Sequence, residues 1–247
     1  YGRVYLSSGN PVTVEFQIGS STKTQYATSV EMLDNGDFIT VWHEIDASKS
    51  GATFSIYGRL FNADGTPKNA AFDISTTSAN TSSNSDVKEL AKYGTNAQVS
   101  ADGNGNFVVV WHVGGSLFAQ RYDTHGSLIG KIIEVGTTVS TGIDPNPSIA
   151  LNSSGTFIIT WNGQDNDENG IYAQRFTATG TALGTAFLVN TTQNNEQKNP
   201  DIVLRDDGAF IIRTRMGFLC PEDFYVAHPN QLQGRTECVR KEQNDGI

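Results

Sequence analysis

Phe38-Ile39-Thr40-Val41-Trp42 returns as Phe107-Val108-Val109-Val110-Trp111 and as Phe157-Ile158-Ile159-Thr160-Trp161, and in altered form as Phe210-Ile211-Ile212-Arg213-Thr214. From Trp42 to Trp111 is 69 residues, from Trp111 to Trp161 is 50, and from Trp161 to Thr214 is 53. β-Branched residues between aromatic ends suit a pleated, half-buried strand. Each run follows a turn: Asp34-Asn35-Gly36-Asp37, Asp102-Gly103-Asn104-Gly105-Asn106, Asn152-Ser153-Ser154-Gly155 and Asp206-Asp207-Gly208. Asn, Asp and Gly supply the positive-φ positions of a tight hairpin, so a short strand is expected upstream of every turn, at 29–33, 97–101, 148–151 and 201–204.

Downstream of the runs stand Tyr57-Gly58-Arg59-Leu60-Phe61, Phe118-Ala119-Gln120-Arg121-Tyr122 and Tyr172-Ala173-Gln174-Arg175-Phe176. Alternation places both aromatic ends of each on one face of a strand. A turn ending in Gly65, Gly126 or Gly180 follows, then a fourth apolar stretch at 71–74, 131–135 and 186–189. Four antiparallel strands per repeat is the content of a propeller blade. The fold expected is therefore all-β, a β-propeller of about four four-stranded blades. Tyr1-Gly2-Arg3-Val4-Tyr5 matches the third strand, so the chain opens halfway through a module. The boundaries expected are a half blade at 1–20, blades at 27–77, 95–138 and 146–192, a half blade at 199–216, and an atypical tail at 217–247. A last blade shared by the two ends would close a ring and remove both exposed sheet edges. The competing arrangement uses 223–228 and 236–240 as degenerate third and fourth strands. Residues 75–93 form a polar run expected to be a surface loop.

Charged residues are only 17% of the chain, and a formal charge of −9 argues against counterion-displacing nucleic-acid binding and against anionic membranes. No apolar run is long enough for membrane insertion as a helix. Cys220 and Cys238 are the two cysteines, and a disulfide between them would suit an oxidising compartment. The start at Tyr1, with no Met and no apolar leader, is what a processed chain or an excised fragment would have.

The fullest copy of the repeat, within 146–190, reads Asn-Pro, short strand, Asn-x-x-Gly-x-Phe, β-branched run, Trp, acidic loop, Ile-Tyr-Ala-Gln-Arg-Phe. This pattern resembles the repeats of large secreted bacterial surface proteins of the RTX-like, calcium-associated and adhesin type. The resemblance implies a secreted or cell-surface location, a propeller-like fold, and calcium or glycan binding, without a catalytic mechanism. It lapses at Arg213-Thr214 and beyond Met216.

Two acidic loops are candidate calcium sites: Asp102, Asn104 and Asn106 at alternate positions, and Asp165, Asp167 and Glu168 after the third Trp. Calcium takes six to eight oxygen ligands, while the same residues also suit turn geometry. Trp42, Trp111 and Trp161 are either packing residues between blades or stacking platforms for sugars, with the polar neighbours His43, His112 and Asn162 supplying hydrogen bonds. Nucleophile-elbow, zinc-protease and phosphate-loop motifs are missing. The reading that follows is a secreted, non-enzymatic binding module, lectin-like or adhesive, with calcium as the candidate cofactor and a glycan or cell-surface ligand as partner. The alternative is an assembly module of an extracellular layer that binds protein partners or itself.

Overall fold

The computed structural model describes residues 1–19, 23–46, 53–86, 94–137, 143–166, 169–191, 196–216 and 223–227. They form four antiparallel sheets. The first holds β1 (Thr24–Met32), β2 (Phe38–Asp46), β3 (Thr53–Phe61) and β4 (Phe72–Asp73), and is followed by a short helix α1 (Ser75–Ala79). The second holds β5 (Thr95–Ala101), β6 (Phe107–Val113), β7 (Ser116–Tyr122) and β8 (Leu128–Thr137). The third holds β9 (Ser148–Leu151), β10 (Phe157–Gln164), β11 (Asn169–Phe176) and β12 (Phe187–Leu188), and the fourth holds β13 (Gln197–Leu204), β14 (Phe210–Met216) and β15 (Asp223–Ala227). Within each sheet the strands lie in sequence order, so every connection inside a module is a hairpin.

Aromatic residues pair across β2 and β3 and across their counterparts. Phe38 pairs with Phe61, Phe107 with Tyr122 and Phe157 with Phe176 in register, and their rings stack at 5.0, 5.1 and 4.8 Å between centroids. Positions 1, 3 and 5 of each run form what we call the front face of its sheet, and positions 2 and 4 the back face. The back face of one sheet packs on the front face of the next. Ile39 and Val41 lie in one core with Phe107, Val109 and Trp111, while Val108 and Val110 lie in another with Phe157, Ile159 and Trp161. Ile158 then meets Phe210 and Ile212 of the fourth sheet. A single sheet cannot bury its own apolar face, so stability resides in these three seams. The first strands of neighbouring sheets are tied by side chains: Ser29 Oγ accepts from Val99 N at 3.4 Å and Ser100 Oγ from Leu151 N at 3.2 Å.

The half module at the N-terminus is present. Gly2 bridges Phe16 and Tyr5 bridges Pro11, as Phe61 bridges Pro67 in the first full module. Its turn repeats the same bond pair, Leu6 N to Asn10 O and Gly9 N to Leu6 O at 2.8 and 2.9 Å, that closes the turn at Asn62–Thr66. Phe16 packs on the front of the first sheet, 6.1 Å from Phe38 and 5.5 Å from Phe61.

Three expectations are corrected. The edge of β14 that Tyr1–Tyr5 was expected to complete is taken by β15, with Phe210 opposite Ala227 and Thr214 opposite Asp223. The last sheet is thus not shared by the two ends, and it runs past the boundary drawn at 216. The competing assignment of residues 223–228 as a degenerate third strand agrees with this pairing. The stretch after β4 is also not all loop. Asp73 Oδ1 caps α1 by accepting Thr76 N at 2.8 Å, and Ser75 and Ala79 are fully buried against the first sheet. The remainder of the tail, with Cys220 and Cys238 and their expected disulfide, lies outside the described residues.

Candidate functional site

The runs ending in Trp all point to one end of the sheets, where β2, β6 and β10 finish and β5, β9 and β13 begin. The three indoles themselves are not available to a ligand. Trp42, Trp111 and Trp161 are 1%, 0% and 4% exposed, each with its ring about 6.2 Å from an aromatic of the neighbouring strand. The sugar-platform role is corrected: position 5 of the run lies on the front face, which the preceding sheet covers at Trp111 and Trp161, while Trp42 stacks on Tyr57 and donates to Glu44 Oε1 at 3.1 Å.

The residue after each Trp lies nearer the rim. His43 stacks on the exposed Tyr26 at 5.5 Å, and its buried Nδ1 has no hydrogen-bond partner among the described residues. Burial, and the nearby His112, hold its pKa below the usual imidazole value. His112 Nδ1 lies 3.1 Å from Gly114 O, which only accepts, so that nitrogen carries a proton. Its Nε2 lies 3.1 Å from the Asp144 carboxylate and 3.2 Å from Thr95 Oγ1. Asn162 donates to Asp144 O at 2.8 Å and accepts Asn199 N at 3.0 Å, which ties the third sheet to the fourth.

Asn96, Asn146 and Asn199 are the described non-glycine residues with positive φ, at 49°, 38° and 55°. They occupy equivalent places at the start of β5, β9 and β13, and Asn is the residue that tolerates this conformation best after Gly. At Asn96 and Asn199 the register slips against the neighbouring strand. Asn146 Nδ2 donates to Asn199 Oδ1 at 2.8 Å, and Asn96 Nδ2 reaches the Asp144 carboxylate at 3.3 Å.

Between the third and fourth sheets this end opens into a polar pocket of about 300 Å³, lined by Asp144, Asn146, Asn162, Asn169, Glu196 and Lys198 together with Ile143 and Asn199. The Asp144 carboxyl is held below the usual carboxylate range, first by its hydrogen bond with His112, against the opposing effect of burial. Glu196 is lowered in the same way, first by Lys198, whose ammonium pairs with it, and also by Asn169. Asn169 Oδ1 is buried and has no hydrogen-bond partner among the described residues. Asn169 is one of the amides that line the pocket, and its Nδ2 donates to Glu196 Oε1.

Asp144 contributes stability when ionised. Its folded pKa lies below its unfolded one, so that contribution is complete above the ordinary carboxylate range and is lost as pH falls through it. Acid unfolding of Asp144→Asn should therefore show a shallower loss of stability between about pH 5 and about pH 3 than the parent. Parallel curves for the two proteins, followed by fluorescence, would remove Asp144 from the acid-sensitive groups.

The candidate calcium loop at Asp102 is a turn. Asp102 Oδ1 accepts Asn104 N at 2.8 Å and Asn106 N at 2.9 Å, and Asn106 Nδ2 donates to Asp102 Oδ2 at 3.0 Å. In the second loop, Asp165 Oδ2 accepts from Asn190 Nδ2 at 3.3 Å, while Asp167 and Glu168 lie outside the described residues. Among the described residues no group of three or more His, Cys, Asp or Glu side chains is placed to hold a metal ion. No helix among them is long and apolar enough to cross a membrane.

No protein-family model and no curated protein sequence matches the chain. Solved structures do. An α-L-arabinanase from Penicillium chrysogenum complexed with arabinobiose aligns over 89% of this chain and 69% of its own, with a TM-score of 0.60 and 13% identity. A Hadza microbial sialidase aligns over 88% of this chain, with a TM-score of 0.57 and 13% identity, and this chain spans 47% of its length. An ulvan lyase, a polysaccharide lyase, aligns over 86% of this chain and 56% of its own at a TM-score of 0.53 and 11% identity. At such identities the likeness is one of fold, and the arabinanase and sialidase have the propeller fold. The expectation of a chain with no enzymatic role is corrected by this finding: the fold it shares is carried by glycoside hydrolases and a polysaccharide lyase. The missing linear motifs were no guide, because carboxylates that act on sugars are brought together by the fold rather than by spacing.

Proposed function

We propose that this chain is a propeller-type, carbohydrate-active module of the cell exterior that takes a glycan at the end of the sheets where β9 and β13 begin, with its main subsite between the third and fourth sheets. The observation that carries this reading is the polar pocket between the third and fourth sheets, where amides and carboxylates line one cavity. A sugar hydroxyl is a donor and an acceptor on one atom. The pocket offers both counterparts, amides at Asn146, Asn162 and Asn169 and ionised carboxylates at Asp144 and Glu196. Carboxylates held ionised at neutral pH accept hydrogen bonds from hydroxyls. The fold shared with an arabinanase, a sialidase and an ulvan lyase supports the ligand class, as does the resemblance of the repeat to secreted bacterial surface repeats.

The test is a screen of arabinan, sialylated and uronate-containing oligosaccharides by calorimetry, with and without calcium, and with released reducing ends and unsaturated products measured on the same samples. Binding of at least one class is expected. Asn169→Leu should weaken it by about tenfold or more, the worth of one lost hydrogen bond in a desolvated site. If no oligosaccharide binds, or if Asn169→Leu binds as the parent does, the subsite is misplaced.

A further inference from the structure

The three seams between sheets show what covers each face of a module, and among the described residues two faces of the same kind stand uncovered. On the fourth sheet, the back face presents Ile211 at 40% exposure and its cross-strand neighbour Val203 at 60%. Their counterparts Val108 and Ile158 are 3% and 1% exposed, and Ser100 and Ala150 are both at 8%. On the first sheet, the inner half of the front face presents Val30 at 63% and Met32 at 69%, opposite Thr40 and Phe38. The counterparts of Val30 are Val99, Ile149 and Ile202, at 6%, 8% and 5%. Phe16 of the N-terminal hairpin covers only the outer half of that front face.

We propose that these two faces are the tail and the head of an intermolecular seam, in which the back of the fourth sheet of one copy packs on the front of the first sheet of a second copy of this chain. The occupant is set by the pattern of the three existing seams. A back face carrying β-branched residues at position 2 of the run meets a front face carrying an aliphatic residue on the first strand and Phe at position 1. Ile211 with Val203 is the first kind of surface, and Val30 and Met32 beside Phe38 are the second. Among the described residues both faces are exposed at once, so they do not cover each other, and a second copy can satisfy them without rearrangement. A seam joining unlike faces is heterologous: two copies close if each head meets the other's tail, and otherwise the array grows. This inference is independent of the glycan site, which lies at the end of the sheets rather than on these faces.

Sedimentation velocity and light scattering across a concentration series test it. The parent should gain mass with concentration. Ile211→Glu and Val30→Glu should each weaken association by more than about a hundredfold, because each would bury an unpaired charge. Both side chains are exposed in the single chain, so folding should be unaffected, and Val14→Glu on the N-terminal hairpin, 83% exposed, should associate like the parent. Mixing the two seam variants should restore a one-to-one complex, since the Ile211→Glu chain keeps its head and the Val30→Glu chain keeps its tail. A parent that stays monomeric to its solubility limit would overturn the proposal. So would a monomer in which Met32→Cys and Ile211→Cys cross-link within one chain, since the two faces would then close intramolecularly. Association that survives both substitutions would place the contact elsewhere.

Discussion

Phe107→Ala should destabilise the chain by about 3–5 kcal/mol, the usual cost of emptying an aromatic site in a packed core. Phe107 is fully buried and sits where two modules join. Its ring stacks on Tyr122 at 5.1 Å and shares a core with Ile39, Val41 and Leu60 of the preceding sheet. Both flanking sheets are held by paired strands, so the cavity left behind cannot collapse freely and the upper part of the range applies. Val30→Ala removes an aliphatic side chain of the same strand system that is 63% exposed, and should cost no more than about 0.5 kcal/mol. The two are compared by guanidinium denaturation, reading the midpoint with the slope unchanged. A Phe107→Ala protein within about 1 kcal/mol of the parent would mean that the seams between sheets are not where the stability resides.

The contrast between these residues also separates what the sequence makes legible from what it hides. Alternation and Gly-ended turns are local, so the strands, the turns and the shared face of the aromatic ends of β3, β7 and β11 can be read directly. Which segment completes β14 is a different kind of question. Tyr1–Tyr5 and residues 223–227 both have strand character, and the choice depends on where distant parts of the chain lie in space. Periodicity does not carry that information. The helix α1 is five residues long, too short for a hydrophobic period, and its one local signal was Asp73 at the cap position.

The candidate site was legible only at its edge. The residue after each Trp was singled out, and Asn162 does line the pocket and His112 does hold Asp144. The residues that make the site polar, Asp144, Asn146, Asn169, Glu196 and Lys198, were not singled out. They sit in the connections before β9 and β13 and at the starts of β11 and β13, where polar residues carry no pattern of their own. The Asn-Pro pairs at 146–147 and 199–200 were the available signal, since positive φ is what recurs there. The tryptophans misled in the opposite direction. A repeated Trp next to a polar residue fits a sugar site and a packing seam equally well in sequence, and burial decided for the seam.

Gly65→Ala should cost about 2–5 kcal/mol, far more than an alanine at an exposed turn. Gly65 has a φ of +80°, and an added Cβ would lie 2.8 Å from the Phe16 ring. Two penalties combine: about 1–2 kcal/mol for left-handed backbone with a side chain, and about 1–3 kcal/mol for overpacking. Gly9 isolates the first, because its φ is +82° and nothing lies within 4 Å of a Cβ built there. Gly9→Ala should therefore cost about 1 kcal/mol. Both substitutions reduce the freedom of the unfolded chain alike, so that effect cancels in the comparison. The Phe16 ring cannot simply swing away, as it lies among Phe38 and Phe61 and is what seats the N-terminal hairpin on the first sheet. In a Phe16→Ala background the extra cost of Gly65→Ala over Gly9→Ala should vanish. If that extra cost persists without the ring, or never arises with it, Phe16 is not wedged against this turn and the half module is seated by other contacts.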